Sequence, residues 1–473
     1  MSRRIWVDVE DLSTYADSGL RPSGIQRLAY EIYRELVTIG GDDVRFVRHR
    51  APPRLTEIPW AQVRATFGRM DRPLPRAHTT TVVQTATDSG LRGRLRRLAF
   101  RFPATVQLPL MRGLRAQRDA AKGFSEAAWM AAKLIGPYLR RHLRGGATAG
   151  AAGTDDALDE IKDGDLFLLL GSPWYPFYER RLEAVRGRGA CVGVLVYDMI
   201  PVMRPEWCHS SLVRTFRNWM RSCLPLADRV FAISRSTARD TEIFAMREGF
   251  ALPAPVTALP IGTGFSGSPP TGVERDDLPA PGSYVLFVST IEPRKNHQIL
   301  FRVWRELVAA LPRERVPTLV FAGRVGWLAD DLMGQLANAD WLDGLIRHVD
   351  SPTDAELNSL YAGALFTVFP SLYEGWGLPV TEALAHGKPC LVARTSSLPE
   401  AGGTLARYFD PDNLHDAVAA VRTLLEDREG LAAWEAEVRA RFRPTSWHET
   451  AATLLAAMDE VAGQPRRPRF TSA

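Results

Sequence analysis

The stretch SLYEGWGLPVTEALAHGKP, from Ser371 to Pro389, carries two glutamates eight positions apart with a glycine-rich loop between them. It follows the apolar run LFTVFP, so the pattern predicts a strand, a loop and then a helix. Pro379 falls in the first helical turn, where a missing N–H costs little. Glu374 then lies in the loop at the carboxyl end of the strand, and Glu382 lies on the first turns of the helix.

This arrangement suits a ligand that has both phosphates and hydroxyls. Gly375 and Gly377 allow backbone amides to approach a ligand closely, and a helix N-terminus attracts phosphate. A carboxylate accepts hydrogen bonds from two hydroxyls well, so Glu374 and Glu382 indicate sugar or ribose hydroxyls beside the phosphates. Taken alone, the pair is better explained as a solvated loop residue and a carboxylate that favours the helix dipole.

A second motif, STIEPRKNH, follows the strand-like run YVLFV. It places Arg294 and Lys295 side by side at the carboxyl end of that strand. Two adjacent cations there could neutralise a diphosphate and stabilise it as a leaving group. The alternative is that both are ordinary surface charges.

Short apolar runs alternate with helical patterns along the chain, which predicts parallel sheets with helices on both faces. A segment rich in Gly, Pro and Ser, residues 262–283, indicates a domain break. We predict an N-terminal Rossmann-like domain at 1–265 and a C-terminal Rossmann-like domain at 266–445. A helix and tail at 446–473 should pack back toward the first domain. Ligands bind such folds in the cleft at the carboxyl ends of the strands.

Composition agrees with a large protein of two domains: 473 residues, of which 45% are hydrophobic. The four cysteines are scattered without a C-x-x-C pair, so they predict neither a zinc site nor a disulfide framework, and a reduced cytosolic compartment fits best. The start of the chain, MSRRIWVDVEDL, does not resemble a signal peptide, and no apolar run is long enough to span a membrane.

Positive charge is concentrated in residues 91–144, which hold thirteen Lys or Arg against two acidic residues, a local net charge of +11. This segment lies in a predicted insertion of basic amphipathic helices at 76–153. One interpretation is a solvated flexible insertion. The favoured one is a peripheral anchor on an anionic membrane surface. Nucleic acid is not expected, because no recognition motif accompanies the charge.

Several sequence motifs occur together in the order expected for one protein family. EGWGLPVTEALAHGKP matches the E-x7-E signature of retaining glycosyltransferase family 4, and the chain resembles the group 1 glycosyltransferases of polysaccharide and O-antigen assembly. The resemblance covers about 284–413 densely and the amino half thinly, through RPSGIQR, VYDMIPVMRPEW and ADRVFAISRSTARD. It implies an α/β GT-B fold, in which two Rossmann-like, doubly wound parallel-sheet domains face each other across a cleft. The N-terminal domain at 1–265 would be the acceptor domain, and the C-terminal domain at 266–445 would be the nucleotide-sugar-binding domain.

The resemblance also implies roles for particular residues. Glu374 would contact the donor sugar hydroxyls, and Glu382 would contact the ribose. The diphosphate would be held by Arg294 and Lys295 and by the backbone of Gly377 and Leu378.

Further positions follow by the same resemblance. Ser23 and Gly24, in RPSGIQR, would approach the donor phosphates or the acceptor, while Arg324 and residues 347–351 would lie near the base. Many relatives carry a His before the Asp of VYDMIP, whereas this chain has Tyr197 followed by Asp198. Asp198 either touches the acceptor or only fixes its loop, and the sequence leaves both open.

The implied reaction is retaining hexosyl transfer through an oxocarbenium-like transition state. No side chain is an obvious nucleophile, and no metal or cofactor is expected because two cations serve the leaving group. The predicted donor is GDP-mannose, and the predicted acceptor is a lipid-linked oligosaccharide or polysaccharide. The protein should be cytoplasmic and peripheral at the inner face of the cell membrane. The alternatives are a nucleotide-sugar epimerase on the same fold, or a non-catalytic scaffold docking through the basic insertion.

Overall fold

The structure is a computed structural model, and it describes residues 3–17, 22–50, 52–70, 156–172, 174–175, 177–264 and 279–463. The predicted insertion at 76–153 and the predicted domain boundary between residues 265 and 266 lie outside these ranges. Both β-sheets belong to one compact unit of the chain.

The first sheet is parallel except at one edge. Its strands are β1 Ile5–Asp8, β2 Val44–His49, β3 Leu55–Ile58, β4 Leu166–Leu169, β5 Cys191–Val196, β6 Arg229–Ala232 and β7 Thr257–Ala258. They are arranged in the order β3-β2-β1-β4-β5-β6-β7. Only β3 runs antiparallel, against β2. The connection between His49 and Leu55 is too short for the crossover that parallel neighbours need, so it forms a hairpin instead.

The second sheet is parallel throughout its described strands. These are β8 Tyr284–Val288, β9 Thr318–Ala322, β10 Ile346–Val349, β11 Phe366–Phe369, β12 Cys390–Ala393 and β13 Arg407–Phe409, in the order β10-β9-β8-β11-β12-β13. The strands are continuous apolar runs because helices cover both faces of each sheet. The predicted architecture of two Rossmann-like parallel-sheet domains is confirmed.

Helices connect the strands. In the first half these are α1 Glu10–Asp17, α2 Gly24–Gly40, α3 Trp60–Met70, α4 Ala157–Glu160, α5 Tyr178–Gly187, α6 Ile200–Met203, α7 Ser210–Cys223 and α8 Arg235–Glu248. In the second half they are α9 His297–Ala310, α10 Asp330–Asn338, α11 Asp354–Gly363, α12 Leu378–Ala385, α13 Leu398–Gly402, α14 Leu414–Glu426, α15 Arg428–Arg441 and α16 Trp447–Ala462.

The last helix, α16, returns to the first sheet. Its Leu454 and Met458 are fully buried in the same apolar cluster as Ile32 and Leu36 of α2. Burying side chains of this size stabilises the fold by about 1.5–3 kcal/mol each. Among the described residues, no helix combines the length and the apolar character needed to cross a membrane.

A buried polar network closes the carboxyl end of β1. Asp8 is 4% exposed. Its carboxylate lies 2.7 Å from Nε2 of His49, accepts from the backbone N–H of Glu10 at 2.9 Å and accepts from the Tyr178 hydroxyl. Burial alone would raise the pKa of this carboxyl, but His49 and Tyr178 lower it overall. The ionised form of Asp8 is therefore favoured by folding.

The Asp8→Asn variant should lose about 3 kcal/mol of unfolding free energy at neutral pH, because it removes a buried charged acceptor and leaves its hydrogen-bond partners poorly satisfied. Urea unfolding monitored by circular dichroism measures this loss. Since the pKa of Asp8 is lowered on folding, the difference from wild type should shrink as the pH falls below the ordinary value of 3.8. Asp42→Asn, at an exposed position, is the control. Equal unfolding midpoints for the two variants would contradict the prediction.

Candidate active site

The site is built from two loops at the carboxyl ends of adjacent strands. Strands β8 and β11 pair in parallel, so the loops that follow them lie side by side. The first loop contains a 3-10 turn, Pro293–Lys295, and the second runs from Ser371 to Gly377. The backbone N–H of Leu372 donates to the carbonyl of Arg294 at 2.9 Å. The sheet therefore brings together two motifs that are far apart in the sequence.

Glu374 lies between the two predicted cations. Its Oε2 is 2.7 Å from Nη1 of Arg294, and its Oε1 is 2.5 Å from Nζ of Lys295. Only 8% of Glu374 is exposed. We call Arg294, Lys295 and Glu374 the cation–carboxylate cluster. It combines two cations, which suit an anionic ligand, with one carboxylate.

Burial and mutual attraction set the pKa values of this cluster. Burial alone would raise the pKa of Glu374, but Arg294 and Lys295 lower it to about 2. Burial, reinforced by repulsion from Arg294, lowers the pKa of Lys295, and Glu374 opposes this effect. Burial also disfavours the charged form of Arg294, yet Glu374 and Glu292 raise its pKa overall. Glu374 is consequently ionised at any pH at which the protein would be studied.

Glu292 contacts the cluster, and it was not among the site residues predicted from the sequence. It is 4% exposed, and its Oε1 lies 2.6 Å from Nη2 of Arg294. Its Oε2 is buried without a hydrogen-bond partner among the described residues. Arg294 also donates to the carbonyl of Tyr373 at 2.7 Å. The position of Glu292 two residues before Arg294, within the same motif, was the signal that could have identified it.

Asp198 approaches the cluster from the first domain. It follows β5, is half-buried, and accepts from the backbone N–H of Ile200 at 3.0 Å. Burial raises the pKa of Asp198, and the charge of Arg294 partly opposes this rise. The loops of the two domains touch at Gly375, where a Cβ atom would lie 2.1 Å from the carbonyl oxygen of Tyr197. Only glycine can occupy this position without moving one domain.

Two helix N-termini also meet in the cleft. Ser23 caps α2 through a capping box with Gln26. A Cβ added at the next residue, Gly24, would lie 3.5 Å from Cδ1 of Leu378, the first residue of α12. Gly377 caps α12 with φ +120, a conformation that favours glycine. A helix N-terminus attracts an anion, and at α12 the backbone N–H groups available for this are those of Gly377 and Leu378, because Pro379 has none.

The remaining predicted residues lie apart from the cluster. Glu382 is half-buried on α12, and its Oε2 accepts from the hydroxyl of Tyr361 at 2.7 Å. Arg324 is exposed after β9, and no described contact joins its side chain to the cluster. Residues 347–351 run through β10 on the far side of β9. In the described ranges, no group of three or more His, Cys, Asp or Glu could hold a metal ion.

A further carboxylate, Glu400, joins the domains at the N-terminus of α8. Its Oε2 accepts from the backbone N–H of Arg235 at 2.8 Å and from Nε of the same residue at 3.2 Å. Its Oε1 accepts from the N–H of Ser236 at 2.8 Å. A second bond across the cleft runs from the hydroxyl of Tyr373 to Asp240 at 2.5 Å. These contacts hold α13 of the second domain against α8 of the first.

Glu400→Ala should weaken the closed arrangement of the domains. Losing a helix-capping carboxylate costs about 1–2 kcal/mol, which shifts a closed-to-open equilibrium about 5- to 30-fold. Small-angle X-ray scattering should show a larger radius of gyration for the variant than for wild type. Glu426→Ala, which removes an exposed pair with Arg422, is the control. Identical scattering curves for all three proteins would refute this role for Glu400.

The fold and the site together define a two-domain glycosyltransferase architecture of the GT-B type. A solved glycosyltransferase from Rickettsia africae ESF-5 superimposes with a TM-score of 0.53 at 11% identity, over 98% of this chain and 100% of that one. Anabaena Alr3699/HepE in complex with UDP superimposes with a TM-score of 0.50 at 13% identity, over 97% and 99%. At such identities the likeness concerns the fold alone.

Sequence comparison identifies related proteins. Residues 274–441, within the second domain, match the model of "Glycosyl transferases group 1". The chain is 27% identical to the serotype-specific mannosyltransferase WbdA of Escherichia coli over 323 residues, which are 66% of this chain and 38% of that protein. It is 35% identical to O-antigen chain mannosyltransferase B of Escherichia coli over 164 residues, 35% of this chain and 42% of that one. The chain thus spans about two fifths of the length of these relatives.

Proposed function

We propose that this protein transfers a sugar from a nucleoside diphosphate sugar to a glycan acceptor, with retention at the anomeric carbon. The observation that carries the proposal is the cation–carboxylate cluster, which sits at the carboxyl ends of β8 and β11 and faces Asp198 across the cleft. Open α/β sheets bind ligands at this edge. Two adjacent cations with two helix N-termini nearby suit a diphosphate.

In the proposed reaction the bond between the anomeric carbon and the diphosphate oxygen breaks, and negative charge grows on the leaving group. Arg294, Lys295 and the backbone N–H groups of Gly377 and Leu378 stabilise that charge. Glu374 and Asp198 face the positive charge that develops on the sugar ring. The acceptor hydroxyl forms the new bond on the same face of the ring, and its proton passes to the departing phosphate.

The proposed donor is GDP-mannose. Its support is the names of the relatives, which are mannosyltransferases, one of them of O-antigen chains. The proposed acceptor is a lipid-linked oligosaccharide or polysaccharide. Residues 91–144 would bring the protein to the anionic inner face of the cell membrane from the cytoplasm, because a charge of +11 is attracted to acidic lipids.

Calorimetric titration with UDP, GDP, dTDP and ADP tests the donor site. We expect wild type to bind GDP with micromolar affinity and Glu382→Ala to bind it at least about tenfold more weakly, because a hydrogen bond to a charged group is lost. If the folded protein binds none of the four, the donor site is refuted and the scaffold alternative gains support. Tighter binding of another diphosphate would change the donor and leave the reaction class intact.

Incubation with GDP-mannose and an acceptor tests the chemistry. We expect transfer to continue in EDTA, because Arg294 and Lys295 serve the leaving group, and proton NMR should show an α-linked product from the α-linked donor. A β-linked product would refute retention. Release of free nucleotide and sugar without any acceptor would favour the epimerase alternative.

Membrane attachment is tested separately. Deletion of residues 76–153 should abolish co-sedimentation with vesicles that contain phosphatidylglycerol, while transfer to a water-soluble acceptor continues. Vesicles of phosphatidylcholine alone are the control, because they lack the negative surface charge. Unchanged sedimentation of the deletion variant would refute the anchor.

A further inference from the structure

The two glutamates of the quoted stretch are held in different ways. Glu374 is held by two cations, whereas the described hydrogen-bond donor to the Glu382 side chain is the neutral hydroxyl of Tyr361, at 2.7 Å from Oε2. A hydroxyl directs a carboxylate without neutralising it. The remaining acceptor sites of the Glu382 carboxylate are therefore available to a ligand.

Tyr361 is itself fixed in one position. It lies on α11, is 2% exposed, and its ring stacks on that of His386 with centroids 5.0 Å apart. Nδ1 of His386 lies 2.8 Å from the carbonyl oxygen of Glu382, and Nε2 lies 3.1 Å from Oδ1 of Asn358. The tyrosine and the histidine thus connect the side chain and the backbone of Glu382 to α11. This leaves the tyrosine hydroxyl little freedom to turn away.

The charge of Arg27, a residue of the first domain, also acts on Glu382. Arg27 of α2 pairs with Asp354 of α11, with 2.6 Å between Nη1 and Oδ2. Burial raises the pKa of Glu382, while the hydrogen bond from Tyr361 and the charge of Arg27 lower it and Asp354 raises it. The pKa of Glu382 is raised overall, and the tyrosine hydroxyl is one of the groups that oppose this rise.

We propose that Tyr361 is a positioning residue that aims the ionised Glu382 carboxylate at the two ribose hydroxyls of a nucleoside diphosphate. This inference rests on the proposed donor site. The position supports it: Glu382 lies on the helix whose N-terminus, at Gly377 and Leu378, is the proposed diphosphate site. A ribose one or two turns along that helix would meet a carboxylate held in a single orientation. Two hydroxyls on one carboxylate are a strong and specific pair of bonds.

A purely structural role is the alternative. In that case the hydroxyl of Tyr361 only satisfies a buried carboxylate, and its loss would weaken every ligand of the domain to the same extent. The two roles differ in their sensitivity to the ribose hydroxyls. Ligands with and without those hydroxyls therefore distinguish them.

The experiment is calorimetric titration of wild type and Tyr361→Phe with GDP, UDP and ADP, each beside its 2′,3′-dideoxy analogue. For the ribonucleotide that wild type binds most tightly, we expect Tyr361→Phe to weaken binding about tenfold. Its dideoxy analogue should bind both proteins within about twofold, because it makes no bond to Glu382. Lowering the pH should weaken ribonucleotide binding through protonation of Glu382. That loss should begin at higher pH in Tyr361→Phe, which lacks the bond favouring the ionised form.

Tyr284→Phe is the matched control. Tyr284 is also 2% exposed, and its hydroxyl donates to the carbonyl of Leu360, the neighbour of Tyr361 on α11, at 2.7 Å. This variant should bind ribonucleotide and dideoxynucleotide as wild type does, with an unshifted pH profile. If Tyr361→Phe weakens binding of the ribonucleotide and of its dideoxy analogue equally, or of neither, the inference about Tyr361 is overturned and the proposed donor site still stands. Failure of wild type to bind any of the three ribonucleotides overturns the proposed donor site together with it.

Discussion

Glu374→Gln is expected to lower the rate of sugar transfer at saturating donor by about a thousandfold, the upper range for loss of one preorganised electrostatic group. The amide has the shape of the carboxylate but carries no charge to neutralise Arg294 and Lys295. In wild type, the side-chain nitrogens of these two residues lie 2.7 and 2.5 Å from the Glu374 oxygens. Both cations would then be held in altered positions when the diphosphate departs. Steady-state kinetics with GDP-mannose measures the effect.

The control for this variant is Glu435→Gln. Glu435 is also a carboxylate paired with two cations, Lys388 at 2.9 Å and Arg439 at 2.5 Å, but it lies on α15, away from the cleft. We expect its kinetics to match those of wild type. Activity of Glu374→Gln within a few-fold of wild type would mean that the cluster is structural and takes no part in transfer.

The same cluster predicts which group governs activity in acid. Because the pKa of Glu374 is about 2, this residue stays ionised throughout the usual assay range. Burial raises the pKa values of Asp198 and Glu382, so these carboxyls take up protons first as the pH falls. A loss of activity as the pH falls from neutral would accordingly arise from their protonation.

Lys295→Met should reduce transfer by about a hundredfold and should weaken binding of the diphosphate. Methionine fills a similar volume, and Glu374 keeps its pair with Arg294, so the fold should survive the change. The variant lacks one of the two positive charges that stabilise the leaving group. Because that charge develops mainly in the transition state, the loss should be larger in kcat than in the affinity for donor.

Lys388→Met is the matched control for this second variant. Lys388 is buried at 8% exposure and paired with Glu435, yet it lies on the opposite side of the domain from the cleft. The Lys388→Met variant should have a lower thermal unfolding temperature than wild type and an unchanged kcat. Similar losses of kcat in both variants would indicate that the effect of Lys295→Met arises from folding.

Much of this architecture could be predicted from local patterns. Apolar runs such as LFLLL and YVLFV are buried strands because both faces of a parallel sheet are covered, and such runs are visible in a linear chain. Glycine and proline mark where strands end, so Glu374, Arg294 and Lys295 could be placed at strand ends. The antiparallel edge strand β3 was not predicted, because its direction depends on the length of one loop.

What the sequence determined by itself was the type of each element and the strand ends that carry charged residues, since strands, helices and turns follow from short-range periodicity and backbone chemistry. Tertiary structure alone decided which of those residues meet. The contacts of Tyr361 with Glu382 and of Glu400 with the N-terminus of α8 pair positions that share no periodic pattern. The physical reason is that such contacts depend on the order of strands in the sheets and on the packing of one domain against the other.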